Sequence, residues 1–402
     1  MKVLQINVVF RRGSTGKIVD DIHTMLLNDG YKSVVCYGRK TKYIEKNIYK
    51  ISTEVEAKLH ALLERITGYS YKFSYFATRY LLAVIRKEKP DVVHLHMLNG
   101  YFVNVYKLLH FLKKNKIPTV ITLHSETMYT GGCGHSYDCE KWKTGCGNCP
   151  QLKDASHSLF FDRTSKQWSF MKQAFEAFDY LKIIAVSDWL ESRAKRSPIL
   201  MGKEFCVIGN GIDTENVFYP KPFQELKEKH KLTTEKIVLH VSPSFSSPSK
   251  GGHFVMELAK QMANLNIKFI AVGFDGDASV LPDNVIGVKH TKDQIELATY
   301  YSMADITLLT SKRETFSMVC VESLACGTPV VGFKAGAPEQ IALNDFSEFI
   351  AYGDVKSLKA SLLKWLEKEK SEFNELHTIA AQDYSRERMY HKYLAVYKSL
   401  RN

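Results

Sequence analysis

Twice along this chain, short runs of β-branched and other apolar residues alternate with longer amphipathic segments. In the first half the apolar runs are Lys2–Val9, Ser33–Tyr37, Asp91–His96, Thr119–His124 and Lys182–Val186, and segments of helical spacing between them include Ile18–Asn28, Phe73–Lys87 and Val103–Lys114. The pattern restarts at Lys236–Val241 and continues through Lys268–Val272, Asn284–Val288, Asp305–Leu309 and Pro329–Phe333. Short strands joined by helices argue for parallel βαβ units. The expected fold class is α/β with two Rossmann-like domains, residues 1–207 and 221–384. Residues 208–220, rich in turn formers and ending in Pro220, form the linker between them. A last helical segment in 385–402 is expected to cross back to the first domain. Ligands of open α/β sheets bind beyond the carboxyl ends of the strands, so two facing sheets would place the site in the cleft between them.

The 402 residues, 45% hydrophobic and 24% charged, suffice for two buried cores, and nothing resembles a disordered chain. An excess of 55 Lys+Arg over 43 Asp+Glu, net +12, suits an anionic partner or a plainly solvated basic surface. Nucleic acid is the weakest such partner, because no long Lys/Arg run and no RNA-binding signature is present. The opening MKVLQINVVFRRGSTGK reads as a first strand rather than a signal peptide, since Gln5 and Asn7 interrupt its apolar run and Arg11-Arg12 follow it. No apolar stretch reaches the ~18 residues of a spanning helix. A cytoplasmic protein is expected, touching a membrane at most from the inner face.

Chemistry concentrates at a few places. Glu314 follows the strand run ADITLLTS, and Glu322 lies seven intervening residues further on, in a segment between Ser317 and Gly327 that reads as a helix closed by glycine. At ~1.5 Å per residue, Glu322 stands roughly 7–8 Å along that helix. The helix N-terminus between the two carboxylates offers N–H groups and a positive dipole end to a diphosphate. Spacing alone equally allows a helix-stabilising glutamate and a solvated one. Lys250, in the loop Val241–Gly252, would offset charge on a departing diphosphate, or it is a solvated lysine on a flexible Ser/Pro loop. Gly13 and Gly16 shape the turn after the first strand, without full Walker A spacing.

His94, His96 and His124 fall at strand ends in the first half; His96 and His124 are the candidates for the cleft, and His94 for the core. Cys133, Cys139, Cys146 and Cys149, spaced among glycines and turn residues, suit a structural zinc. A redox pair at Cys146 and Cys149, lacking a thioredoxin-like context, and four free thiols are the alternatives. The aromatic, basic segment Tyr69–Arg86 reads either as core or as a surface for lipid or acceptor.

The run SKRETFSMVCVESLACGTPVVGFKAGAPE resembles the donor-site signature of the retaining glycosyltransferases of family 4, which share the two-Rossmann GT-B fold. The pair of glutamates, the turn into the next strand and Gly336-Ala337-Pro338-Glu339 fit in register, and YYSMADITLLTS, NGIDTENVF and AVSDWL extend the resemblance over nearly the whole chain. It implies that Glu322 accepts hydrogen bonds from the donor ribose and that Glu314 binds the transferred sugar. It further implies that the amides around Phe316, Ser317 and Met318 hold the diphosphate, with Lys250 as the phosphate-binding lysine. Gly13 and Gly16 match the family's glycine loop, and His124 its strand-end histidine near the donor sugar.

Two departures stand out. Ser244 to Ser249 occupy the place where an arginine is usual, and Ser125, then Glu126, follow His124 where an aspartate is common. Some bacterial members carry a similar cysteine insertion. The implied activity is retaining transfer of a hexosyl-type sugar from a UDP- or GDP-linked donor to a glycan or lipid-linked acceptor, without a catalytic metal, in bacterial surface polysaccharide synthesis. The catalytic candidates are His124, Glu314 and Lys250. A sugar-nucleotide epimerase on the same fold and a non-catalytic, zinc-stabilised nucleotide-binding scaffold are the rivals.

Overall fold

The structure is a computed structural model that describes residues 1–155, 157–373 and 375–400. It divides into two compact units, Met1–Gly209 with Tyr390–Asn402, and Asn210–Met389. The first holds seven strands: β1 (Lys2–Asn7), β2 (Lys32–Tyr37), β3 (Ile48–Lys50), β4 (Val92–Leu95), β5 (Thr119–Leu123), β6 (Leu181–Ala185) and β7 (Glu204–Val207). All pair in parallel, in the order β3-β2-β1-β4-β5-β6-β7. The second unit holds β8 (Lys236–Val241), β9 (Ile267–Val272), β10 (Val285–Val288), β11 (Ile306–Leu309), β12 (Val330–Phe333) and β13 (Ser347–Ile350), again all parallel, in the order β10-β9-β8-β11-β12-β13. The strand order reverses between β1 and β4 in one sheet and between β8 and β11 in the other, which are the switch points where such sheets hold ligands.

The central strands are buried on both faces, so their sequences are near-continuous apolar runs. Of the four edge strands, β3, β7 and β13 lack that signature, being three or four residues long and partly exposed, and the apolar pattern reveals only β10. Helix Glu54–Thr67 also escapes an apolar reading, because Val55, Leu59 and Leu62 face outward. Its ends are nevertheless well specified. The Thr53 hydroxyl accepts from Glu56 N, Glu54 and Glu56 sit in the first turn, and Gly68 closes it at φ 73°.

The last helix, Arg386–Ser399, begins in the second unit and ends in the first. In the first unit, Tyr397 Oη lies 2.6 Å from His94 Nδ1, while His94 Nε2 meets Thr122 Oγ1 at 2.8 Å and Tyr393 Oη reaches the same Thr122 oxygen at 3.1 Å. His94 is thus a fully buried hinge-pin between β4, β5 and the last helix, in keeping with its expected place in the core. Among the described residues, no helix is long and apolar enough to cross a membrane.

Burial and the nearby His124 hold the His94 imidazole neutral well below its ordinary range. The unfolded chain takes up that proton near pH 6.5, so this histidine contributes stability above that pH and loses it as the pH falls. The advantage of the parent over His94→Gln in denaturant unfolding is therefore expected to shrink between pH 7 and 5, by up to about 1.4 kcal/mol per pH unit. A pH-independent difference would contradict the assignment.

Candidate active site

In the second unit, the loop after β8 and the loop after β11 leave neighbouring strands at the switch point. Lys250 ends a short 3-10 turn, Pro248–Lys250, on the first loop, and its ammonium group lies 2.6 Å from Glu314 Oε1 on the second. Both side chains are largely but not wholly covered, at 28% and 18% exposure, so solvent screens the pair and its value is positional more than energetic. Two hydrogen bonds lock the loops together: Thr310 Oγ1 donates to Lys250 O at 2.9 Å, and Lys312 N to Ser249 O at 2.9 Å. Gly251 makes that approach feasible, because it sits at φ 73° and any Cβ would strike the Thr310 carbonyl. The serine-rich stretch before Lys250 is tied down as well. Ser246 N donates to Asp275 Oδ1 at 2.9 Å, and Ser244 Oγ to Asp275 Oδ2 at 2.5 Å.

Glu314 continues into an extended contact with the loop after β12: its N–H donates to Ala335 O at 2.9 Å, and Ala337 N donates to Glu314 O at 3.2 Å. Glu339 fixes that loop by accepting from Ala335 N and Gly336 N at 3.0 and 3.1 Å. Helix Met318–Ala325 begins directly afterwards, with Ser317 as N-cap accepting from Cys320 N at 3.3 Å. Ser317 stands at φ 96°, a left-handed value that costs a non-glycine residue about 1–3 kcal/mol and that recurs at ligand sites. One turn along, Glu322 is 9% exposed and accepts from Tyr301 Oη at 3.0 Å. Lys250, Glu314, the Phe316–Met318 backbone and Glu322 thus follow one another around the rim of one sheet. As positioning groups, Tyr301 and Glu339 lie within the quoted motifs without having been given that role, and Asp275 lies outside them.

Residues 222–382 match the family described as Glycosyl transferases group 1, and residues 16–216 match Glycosyltransferase Family 4. The chain belongs to glycosyltransferase family 4. It is similar to the putative colanic acid biosynthesis glycosyl transferase WcaC of Escherichia coli K12, at 25% identity over 374 residues, 89% of each chain. It is also similar to the N-acetyl-alpha-D-glucosaminyl L-malate synthase of Bacillus anthracis, at 23% identity over 71% of this chain and 68% of that one. Among solved structures, sucrose-phosphate synthase from Thermosynechococcus elongatus superposes with a TM-score of 0.73 at 16% identity, covering 99% of this chain and 98% of that one. Anabaena Alr3699/HepE in complex with UDP superposes at 0.68, also at 16% identity, over 99% and 100%. These likenesses give the fold, GT-B.

The family's first-unit landmarks are distinct from one another in structure. Gly16, on the inner face of helix Gly13–Asn28, packs against Val9, whereas Gly13 lies open at φ 62°. His96 and His124 stack with centroids 5.6 Å apart, His96 Nδ1 is 3.3 Å from His124 Nε2, and His96 Nε2 is 3.2 Å from Gln5 Oε1. Burial lowers the His124 pKa to about 4, so at neutral pH this imidazole carries no charge and acts through hydrogen bonds.

Glu126 does not assist His124. It is wholly buried, receiving Arg193 Nε and Tyr129 Oη at 2.7 Å each and the backbone N–H of Ser136. Arg193 Nη2 also donates to Ser136 Oγ at 2.6 Å, and Glu126 N to Gly134 O at 3.0 Å, so this ion pair anchors the cysteine loop. All eight cysteines are free thiols. Cys133, Cys139, Cys146 and Cys149 border one small cavity beside Trp142, but among the described residues no group of three or more His, Cys, Asp or Glu side chains is placed to hold a metal ion. The gathered thiols therefore do not, as placed, fit the zinc expected from their spacing.

Removing one partner of a buried ion pair leaves an uncompensated charge, at a cost of about 3–5 kcal/mol. Arg193→Met is expected to lower unfolding stability by that order, and adding Glu126→Gln to recover part of it. Additive losses in a double-mutant cycle would show that the pair does not anchor the loop.

Proposed function

We propose that this family 4 glycosyltransferase moves a hexosyl-type sugar from a UDP- or GDP-linked donor, bound on the second unit, to a glycan or lipid-linked acceptor, with retention at the anomeric carbon. The observation that carries this reading is the Lys250–Glu314 pair set beside the start of helix Met318–Ala325, with the buried Glu322 one turn further on. Supporting it, the superposing Anabaena HepE structures are complexes with UDP and with UDP-glucose. In the proposed complex the amides of Phe316, Ser317 and Met318 and the Lys250 ammonium face the diphosphate, offsetting charge that grows as the bond to the sugar breaks. Glu322 accepts from the ribose hydroxyls, a role suited to a carboxylate already oriented by Tyr301. Glu314 orients the transferred sugar and holds Lys250 in place. The acceptor oxygen attacks from the face that the diphosphate leaves, and no side chain is assigned as a covalent nucleophile. Gly13 and His124 are proposed to contact substrate from the first unit, His124 through a neutral hydrogen bond.

A role in bacterial surface polysaccharide synthesis is proposed from the likeness to WcaC, whose name places it in colanic acid biosynthesis. Helix Tyr75–Glu88 supports a peripheral contact with the cytoplasmic membrane face. Tyr75, Phe76 and Tyr80 are exposed at 58%, 74% and 47%, interleaved with exposed Arg79, Arg86 and Lys87. Aromatic anchors beside cations suit an anionic interface.

A thermal-shift panel of UDP- and GDP-sugars tests the donor assignment, since a ligand of the folded state raises its melting temperature. One donor is expected to stabilise the parent. Glu322→Ala is expected to weaken that donor roughly 10- to 100-fold, from the loss of charge-assisted hydrogen bonds worth about 1.5–3 kcal/mol. Lys250→Ala is expected to lower nucleoside diphosphate release in the presence of acceptor on the order of 100-fold. A panel without any stabilising donor, or a sugar that is only isomerised, removes the transferase reading. For the membrane contact, co-sedimentation with phosphatidylglycerol vesicles is expected to fall for Phe76→Ser with Tyr80→Ser, and binding that is absent in the parent eliminates it.

A further inference from the structure

The first unit contains a cavity of about 370 Å³ that the donor reading leaves unused. Its size is that of a small-molecule site. It opens beyond the carboxyl ends of β4 and β5, with Leu98–Gly100 following one strand and Thr127 the other, the position in which parallel sheets hold ligands. One wall comes from helix Glu54–Thr67 and the turn after it, and the opposite wall from the cysteine loop between Gly132 and Tyr137.

Two acceptor atoms on that lining, His60 Nε2 and Asn99 Oδ1, have no hydrogen-bond partner among the described residues. The His60 ring is 2% exposed. Its Nδ1 lies 2.6 Å from Ser74 Oγ, and that hydroxyl donates its only proton to Tyr101 O at 2.9 Å. Nδ1 must therefore carry the hydrogen, which leaves Nε2 a bare lone pair. Nε2 has no hydrogen-bond partner, the nearest carboxylate oxygen, Glu64 Oε2, being 3.8 Å away. The ring is neutral at physiological pH, since burial pulls its pKa to about 4. Asn99 Oδ1, buried in the same lining, is likewise unpartnered. A buried acceptor without a donor costs about 1–3 kcal/mol, and both atoms are satisfied by a ligand that brings O–H groups.

The charge of the lining decides which ligand. Among the described residues that border the cavity there is no lysine or arginine; the acids are Asp154 and Glu64, whose carboxyl pKa burial pushes up to about 7, and His135 and His157 stand with His60. A phosphate or carboxylate, which itself only accepts, would be desolvated there against acceptors and acids. Tyr101 and Tyr71 add aromatic surface suited to the apolar face of a sugar ring.

We propose that this cavity binds an uncharged, hydroxyl-rich sugar unit, the acceptor end of the transfer, with His60 Nε2 and Asn99 Oδ1 receiving its hydroxyl hydrogens. That the sugar is the acceptor rests on the transferase reading above; that the cavity takes an uncharged sugar does not. The test is ligand-observed NMR on the full chain, with the methyl glycosides of glucose, galactose, mannose and N-acetylglucosamine against glucose 1-phosphate and inorganic phosphate. At least one neutral glycoside is expected to bind, to bind at least tenfold more weakly to Asn99→Ala and to His60→Phe, and to bind better than the phosphates. Asn99 lies on a partly exposed loop, so its variant keeps the test valid if the His60 substitution fails to fold. The proposal is overturned if no glycoside binds the parent, if Asn99→Ala binds it equally well, or if a phosphate binds more tightly. The donor panel run on the same parent protein separates the two claims. Glycoside binding without any donor leaves the cavity assignment standing and removes its role as acceptor site.

Discussion

Parallel strand pairing is the constraint from which the rest of this molecule follows. A parallel strand cannot be followed by a hairpin, so each must hand the chain to a crossover, and every loop that leaves a strand opens on the same rim of its sheet. In the second unit this brings residues some sixty positions apart, Lys250 and Glu314, into an ion pair without any local sequence relation between them. In the first it brings the ends of β4 and β5 around one cavity and lines up three imidazoles, His94 in β4 and His96 and His124 just beyond β4 and β5. Chemistry gathers at the switch points because the backbone has no other place to put its loops.

Both sheets could be read from the sequence because their central strands are buried on two faces and are written almost wholly in apolar letters. β8, Lys236–Val241, has the same bounds in sequence and structure. Elsewhere the apolar pattern overran the strands by a residue or two, as at Val8 and Val9 after β1 and His96 after β4. Helix Glu54–Thr67 was not read, its signals lying in its caps rather than in an apolar face, and of the four short edge strands only β10 was read, because partial exposure relaxes the need for continuous hydrophobicity.

Glu314, Phe316–Met318 and Glu322 stood out as candidates for a different reason: they lie close together in a segment whose turn chemistry is tightly specified. What could not be read was who holds them. Asp275 tethers the serines ahead of Lys250, and Tyr301 orients Glu322, each from a separate part of the chain. The same holds for Glu126, which the sequence shows only as a departure from the usual aspartate after His124. Its partners, Arg193 and Ser136, arrive through tertiary packing and turn it into the fastening of the cysteine loop. That loop in turn forms one wall of the cavity in the first unit, which gives it a definite architectural task.

The row of histidines also has a direction. Gln5 Nε2 donates to Val19 O, so its Oε1 is turned toward His96 Nε2 and must receive a hydrogen there. His96, neutral through burial, then has a bare Nδ1, which can meet His124 only by accepting from its Nε2–H. The remaining nitrogen of a neutral His124, Nδ1, is consequently an acceptor. A glutamine amide on the first strand thus selects the tautomer of an imidazole two strands away. It determines that this histidine can receive a proton's attention from a hydroxyl but has none of its own to offer.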